Sequence, residues 1–558
     1  MLTKKIKIKL LLLSILSGIL LWLSWPPNGC PFVIFFAFIP LFFISDVIKK
    51  ASVHFPFWTA EIYAFIAFFI WNMGTTWWIW NITPIASIVT FVLNSFFMSL
   101  FVGAWQRFRH LNLPEILTPL CFIAFWSTWE YLHLNWDLTW PWLNIGNVFA
   151  NHTQWIQWYE YTGTFGGLLW ILVANFLIFY LLKNIRTSLK VIFLYSLSIL
   201  LWITLPMTGS WLRYHTYTLP DTASTKAIEA VIVQQNTDPV EEQYSMSNWE
   251  HAHRIFEVSR QALTPSTQLL VCPETAIPWS VWLESLQEHS YDTSIDNYAC
   301  FPLFDSLLAE YPKLNIVIGM SLVEFYDTKA TLTCQNIGDG HFVDSYNAAC
   351  LFNKHWLTET YYKSKLVPGV EKMPYPQIFS FLEKWAIDLG GTSGSLGIDT
   401  KQRAFHLQGL PFTIGSPICY ESAYGEHFCK FVRNGAQLMT VITNDGWWGD
   451  TPGYKQHLFM SKIRAVESRR TILRAANTGV SAIIDERGDA HRMTQYNTRC
   501  ALRTKVCPND LQTFYVRHGD YLARFFLVIA ALLVICACIF EIRHKFFTIF
   551  PPIFKKKP

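Results

Sequence analysis

The chain has 558 residues, of which 52% are hydrophobic, 16% aromatic and only 15% charged, with 25 Trp among them. That balance is too apolar for an ordinary water-soluble domain and reads as a membrane protein. The formal net charge of +4 is small, and Lys and Arg are not gathered into a stripe that could track phosphates, which argues against nucleic acid as a partner.

Apolar stretches long enough to cross a bilayer of about 30 Å as helices lie at 8–25, 31–48, 57–73, 85–104, 115–132, 165–182, 190–207 and 524–542. About seven spans are thus expected within 1–215 and a final one at 520–545, ahead of a basic cytoplasmic tail at 546–558. Basic clusters alternate with nearly uncharged loops. KKIKIK precedes the first span, Lys49 and Lys50 follow the second, and Arg107 and Arg109 follow the fourth. Lys183, Arg186 and Lys190 lie between the sixth and seventh, and Arg543, Lys545 and the terminal KKK follow the last. The positive-inside rule makes all of these cytoplasmic, with both termini inside and 208–523 outside. A cleaved signal peptide is the competing reading of the opening segment, but no A-x-A site follows, and SWPPNGC reads as a tight external turn.

From 220 to 515 the polar content rises to that of a soluble protein. Short β-branched or apolar runs alternate with helical stretches: AVIV at 230–233, QLLV at 268–271, NIVIGM at 315–320, FTIG at 412–415 and LMTVIT at 438–443, against HLFMSKIRAVESRR at 457–470. This pattern indicates a second core of mixed α/β type. Cys500 with Cys507 and Cys300 with Cys334 are the candidate disulfides of this outside region. No C-x-x-C pair and no H-E-x-x-H occurs, and no metal is expected.

Three polar positions stand out. In QLLVCPETAIPW a strand-like run ends at Cys272, Pro273 stops its ladder and Glu274 follows, where α/β folds present catalytic groups to a ligand. A helix-start or loop carboxylate is the commoner origin of such a Glu. In TYYKSKLVPGVEKMPY, Lys363 and Lys365 share a face if the segment is extended, and Glu371 follows the break at Pro368 and Gly369. Spacing does not choose between the two lysines. In LPFTIGSPICYESAYGE a helix starting near Glu421 would set Cys419 at its mouth, where the helix field and a nearby ammonium would lower the thiol pKa. Glu, Lys and Cys together would make a nucleophile without histidine, the carboxylate carrying the proton.

P-E-T at 273–275, K-x-x-L-V-P at 363–368 and C-Y-E at 419–421 resemble, in order and spacing, the Glu-Lys-Cys triad of the nitrilase, or carbon-nitrogen hydrolase, superfamily. TNDGWWGD at 443–450 and RAANTGVSAIID at 474–485 match further blocks of one branch, and PWL at 141–143 fits it as well. With spans on both sides of this region, nearly the whole chain resembles the apolipoprotein N-acyltransferase family. The resemblance implies a multi-pass α-helical membrane domain of about eight spans, with an extracytoplasmic nitrilase-like α-β-β-α sandwich at 220–515 inserted before the last span. It places the protein in the bacterial inner membrane, with the sandwich on the periplasmic side. It makes Cys419 the nucleophile, Glu274 the general base and Lys363, rather than Lys365, the oxyanion stabiliser. Glu371 becomes a further essential carboxylate, although the family's usual F-G-E is G-V-E here, and Tyr420 and Glu421 shape the site.

The implied reaction moves a fatty acyl chain from a membrane phospholipid, through a thioester on Cys419, to the α-amine of the diacylglyceryl-cysteine that begins an apolipoprotein. It needs no cofactor, and a monomer embedded in membrane lipids suffices. A membrane-anchored nitrilase-type amidase is the nearest alternative. A transporter fits the hydropathy but not spans almost free of ionisable residues. The aromatic loops at 71–83 and 136–146 read as an interfacial Trp belt ahead of direct lipid-substrate contact, and Trp447 and Trp448 as packing beneath the site.

Overall fold

The computed structural model describes residues 4–50, 56–111, 114–376 and 395–549. Seven helical segments among them are long and apolar enough to cross a membrane: Lys4–Leu23, Pro31–Lys50, Thr59–Asn81, Pro84–Arg109, Tyr159–Lys183, Leu189–Thr216 and Tyr521–Ile539. The remaining expected span is the 17-residue helix Leu117–His133, packed against its neighbours Pro84–Arg109 and Tyr159–Lys183 and against the last helix. Residues 550–558 of the expected basic tail lie outside the described residues.

The second span is broken at Phe38, between Ile34–Ala37 and Ile39–Lys50. Pro40 has no N–H and its ring crowds the preceding turn, so the ladder cannot run through. Asn175 of the helix Tyr159–Lys183 fills the gap: its Oδ1 accepts from Phe38 N at 2.9 Å and its Nδ2 donates to Ile34 O at 2.9 Å. One amide thus replaces the missing helical hydrogen bond where no water is at hand.

The basic helix ends meet on one side of the bundle. Lys183 Nζ lies 3.0 Å from both Asp46 Oδ2 and Glu115 Oε1, and Arg109 also pairs with Asp46. The opposite helix ends carry the second core. It contains a first sheet of β1 (Ile228–Gln234), β2 (Thr267–Val271), β3 (Ile277–Trp282), β4 (Asn315–Tyr326), β5 (Gln335–Gly338), β6 (His341–Asn353), β7 (Trp356–Tyr362) and the late β14 (Cys500–Val506). A second sheet contains β8 (Ala404–His406), β9 (Thr413–Gly415), β10 (Ala436–Thr443), β11 (Ile472–Ala476), β12 (Ala482–Ile484) and β13 (Ala490–His491). β1, β2 and β4 run parallel in one sheet, and β9, β10 and β11 in the other.

Period-2 alternation divides the layers. Ala230 and Ile232 of β1 face the second sheet in one core, while Val231 and Val233 face the helices Asn248–Arg260 and Phe301–Glu310 in another. The helices Gly425–Arg433 and Pro452–Ser468 cover the other side, giving the expected α-β-β-α sandwich.

Three expectations need correction. All the candidate disulfide cysteines are free thiols. Cys500 and Cys507 lie at the two ends of β14, separated by roughly 20 Å of extended chain. Lys363 and Lys365 do not share a strand face, because β7 ends at Tyr362 and the chain turns immediately after it. The aromatic loops are only partly a belt: Trp77 and Trp80 are exposed, but Trp71, Trp78 and Trp142 are fully buried. Trp78 and Trp142 pack on Trp448, with ring centroids 4.9 and 5.7 Å away, so these loops dock the bundle to the sandwich.

A second docking point is Arg469, which is fully buried with φ +50° at the end of the helix Pro452–Ser468. Its guanidinium donates to Glu160 Oε2 at 2.7 Å, Gln157 Oε1 at 2.6 Å and Glu486 O at 2.8 Å. Arg469→Met leaves Glu160 buried with only Arg213 as a cationic partner. A loss of about 3 kcal/mol is expected, read as a lower thermal unfolding midpoint in detergent; a variant that melts with the wild type would disprove the docking role.

Candidate active site

Glu274, Lys363 and Glu371, which are far apart in sequence, meet in a buried cluster. Lys363 Nζ lies 2.8 Å from Glu274 Oε1 and 2.7 Å from Glu371 Oε1, and its side chain is 1% exposed. Burial alone would depress the ammonium, but Glu274 and Glu371 together raise its pKa well above the ordinary lysine value. Lys363 is therefore a permanent cation.

Each member is placed by a strand end. Glu274 follows β2, and Gly319 of the neighbouring β4 lets that loop in: a Cβ there would lie 2.5 Å from Glu274 Cα and 2.5 Å from Pro273 O. Gly319 N donates to Pro273 O at 3.0 Å, and Thr275 turns the chain away with φ +44°. Lys363 follows β7, its N bonded to Asn347 O of β6 at 2.8 Å. Glu371 sits in the turn after Pro368 and Gly369, where its Oε2 accepts from Val367 N at 2.8 Å.

Cys419 follows β9 beside the end of β10, where Ile418 bridges Ile442. It is half-buried and opens a short 3-10 helix, Cys419–Ala423, with φ +49°. That left-handed conformation costs an L-residue about 1–2 kcal/mol. Burial, reinforced by the Glu274 carboxylate, pushes the Cys419 thiol up, and the opposing effect of Lys363 is smaller. The expectation of a thiol lowered by helix field and lysine is thus overturned: burial favours the protonated sulfur.

Two residues that the pattern reading missed complete the cluster. Asn347 Nδ2 donates to Glu274 Oε1 at 2.8 Å and Glu371 Oε1 at 3.1 Å, and Asn444 N donates to Glu274 Oε2 at 3.0 Å. An amide in the apolar run YNAACLF was the available signal for Asn347. Asn444 acts through its backbone, which no residue type reveals.

Tyr420 and Glu421 act behind the cluster. Tyr420 OH donates to Thr139 O at 2.8 Å, tying the cysteine turn to the bundle loop. Glu421 is completely buried and clamps the cysteine turn to the lysine turn: Oε1 accepts from Ser364 N at 2.8 Å and Tyr361 OH at 2.6 Å, and Oε2 from Ile418 N at 2.8 Å. Burial would raise its pKa, but His427, these donors and the backbone hold it down at about 2. Lys365 points elsewhere, donating to Leu134 O at 3.2 Å. Among the described residues no group of three or more His, Cys, Asp and Glu side chains is arranged to hold a metal ion.

Residues 17–177 match the family described as the apolipoprotein N-acyltransferase N-terminal domain, and residues 230–503 match carbon-nitrogen hydrolase. The chain is 27% identical to an apolipoprotein N-acyltransferase of Chlorobaculum tepidum over 94% of its own length and 96% of that protein's. It is 26% identical to one from Thermotoga maritima, over 96% and 94%. The chain belongs to the apolipoprotein N-acyltransferase family. A nitrilase-superfamily crystal structure from Saccharomyces cerevisiae covers 61% of this chain and 100% of its own at 13% identity and a TM-score of 0.35. An amidase from Nesterenkonia sp. AN1 covers 54% and 100% at 16% identity and a TM-score of 0.35.

Within this acyltransferase-family site, two substitutions test the geometry. Gly319→Ala forces the Glu274 loop to move and is expected to abolish activity while leaving a folded protein, as judged by its thermal melt; a fully active variant would show that the close approach is dispensable. Glu421→Gln tests the clamp. A depressed carboxylate stabilises fully above its unfolded value, near ~4.3, and the stabilisation is lost as pH falls through the folded value of about 2. Wild-type stability is therefore expected to fall across that acid window, and the Gln variant to be less stable at neutral pH and flatter in acid. Parallel curves would remove Glu421 as the source.

Proposed function

We propose that this chain is an N-acyltransferase that moves a fatty acyl chain from a membrane phospholipid to the α-amine of a diacylglyceryl apolipoprotein. In this reading residues 1–215 and 520–545 form the membrane domain, and 220–515 the catalytic domain, held on the periplasmic side of a bacterial inner membrane. Support for the sidedness comes from the bundle: the basic clusters meet at one set of helix ends and the sandwich docks on the other. The observation that carries the catalytic reading is the buried Glu274–Lys363–Glu371 cluster beside Cys419, with Glu274 and Cys419 following the carboxyl ends of the parallel strands β2 and β9.

The chemistry follows from the groups present. Glu274 takes the Sγ proton of Cys419 as sulfur attacks the ester carbonyl of the phospholipid, and the Lys363 ammonium faces the developing oxyanion. When the tetrahedral adduct collapses, its C–O bond to glycerol breaks and Glu274 returns the proton to the leaving oxygen, releasing a lysophospholipid. The α-amine then attacks the thioester, Glu274 accepts the amine proton, the C–S bond breaks and the thiol is restored. Glu371 pairs with Lys363, and Asn347 donates to both Glu274 and Glu371, holding the two carboxylates around it. No redox step occurs, and atoms balance without a cofactor. Both substrates are lipids, so a site held at the membrane raises their effective concentration.

Incubating the full chain with radiolabelled phospholipid in vesicles tests the assignment. A hydroxylamine-labile acyl group is expected on the wild type and none on Cys419→Ala. Lys363→Met and Glu274→Gln should lower the acylation rate by about 10²–10³-fold or more. An acylated Cys419→Ala protein that still transfers would sink the assignment, and hydrolysis of small amides without acyl transfer would favour the amidase.

A further inference from the structure

Gln456 and His457 are consecutive on the helix Pro452–Ser468, yet they serve different halves of the molecule. The Gln456 amide uses its whole hydrogen-bonding capacity on the bundle. Oε1 accepts from Trp78 Nε1 at 3.1 Å and Trp142 Nε1 at 3.1 Å, and Nε2 donates to Pro26 O at 3.0 Å and Thr75 O at 3.2 Å. Those four partners come from the end of the span Thr59–Asn81 and from the connections that follow Leu23 and His133.

His457 turns to the cysteine. Its Nε2 lies 3.1 Å from Cys419 O, which also accepts from Ser422 Oγ at 2.7 Å. Ser422 Oγ lies 2.9 Å from the same Nε2; in the neutral tautomer with its hydrogen on Nε2 the ring donates to Cys419 O, and Nδ1 accepts from Arg474 Nη2 at 3.1 Å. Nδ1 lies 2.9 Å from Asp445 Oδ1, and Arg474 Nη2 donates to Asp445 Oδ2 at 2.6 Å. His457, Asp445 and Arg474 are all fully buried, so no solvent competes for these bonds. The ring of Trp142, which already binds Gln456, lies 5.7 Å from the His457 ring.

We propose that Gln456 and His457 are positioning residues through which the helix bundle sets the geometry of the Cys419 nucleophile: Gln456 locks their helix to the bundle, and His457 holds the Cys419 carbonyl so that the residue stays in its left-handed conformation. This rests on Cys419 being the nucleophile. Neither side chain takes part in bond making. A Cys419 freed to relax to φ below zero would aim its sulfur away from Glu274 and the substrate carbonyl, a displacement of the kind that costs about 10²-fold in rate.

The test uses the full chain in phospholipid vesicles, with two readouts: the rate of thioester formation as a function of labelled phospholipid, and the rate of Cys419 alkylation by iodoacetamide, which needs no lipid. His457→Ala is expected to lower the saturating acylation rate about 10²-fold without changing the lipid concentration at half-saturation. His457→Gln, whose amide N–H can reach the same carbonyl, is expected to recover most of the rate. Gln456→Leu and Trp142→Phe should give the same signature at about 10-fold. Trp142→Phe keeps an aromatic ring while removing the indole N–H, and decides the matter if Gln456→Leu does not fold. Wild-type acylation rates in these variants, or equal impairment of His457→Ala and His457→Gln, would overturn the positioning role. Should the wild type form no thioester, the functional reading fails by itself; alkylation of Cys419 then still decides the inference, slower reaction in His457→Ala supporting it and an equal rate overturning it.

Discussion

Much of the sandwich is arranged around one buried ammonium. Lys363 sits out of water between two carboxylates that the Asn347 amide holds together, and a charge so placed persists only when the groups around it are fixed within hydrogen-bond distance. Those groups come from the end of β2, the turn after β7 and the middle of β6. The ion cluster therefore ties three segments of the first sheet together. It also sets the charge available for chemistry. Burial, with the Glu274 carboxylate outweighing the Lys363 ammonium, keeps Cys419 protonated. In the proposed reaction, moving the thiol proton to Glu274 would shift one negative charge from oxygen to sulfur within the field of the same lysine. The step relocates a charge already present, and creates none.

The two halves of the molecule are joined by polar contacts that are satisfied inside an apolar interface. Gln456 meets four bundle groups and Arg469 meets Glu160 and Gln157. Apolar packing of Trp78, Trp142 and Trp448 alone would permit sliding, because dispersion is non-directional, whereas buried hydrogen bonds accept one register. The sandwich is thus held in a defined orientation on the bundle rather than merely tethered to it.

The membrane helices were legible because hydropathy is a one-dimensional signal, and the strand runs from 230 to 443 fell on β1, β2, β4, β9 and β10 for the same reason of local periodicity. Motif order singled out Glu274, Lys363 and Cys419, and the fold brings the first two into contact. The rest was set by contacts remote in sequence. Trp142 and Trp78 have the composition of an interfacial belt, and only the docked sandwich buries them. Asn444 contributes a backbone N–H, and Gly319 contributes the absence of a Cβ, neither of which a residue-type pattern marks. The direction of the Cys419 shift was misjudged because desolvation depends on how much protein surrounds the sulfur, a quantity that appears only after folding.

The pair Lys363 and Lys365 shows how far identical side chains diverge two residues apart. Lys363 faces two carboxylates and is fixed as a cation. The Lys365 ammonium faces Leu134 O at 3.2 Å and the Tyr424 ring at 4.9 Å, with no carboxylate in salt-bridge contact among the described residues, and burial pushes it down to about 8. A carbonyl and an aromatic face attract an ammonium but do not offset its lost hydration as an anion does. The turn after Tyr362 directs one lysine into the ion cluster and the other to the end of a membrane helix. In an extended strand both would have pointed the same way and competed for one pair of carboxylates. Ending β7 one residue before Lys363 is what leaves Glu274 and Glu371 with a single cation.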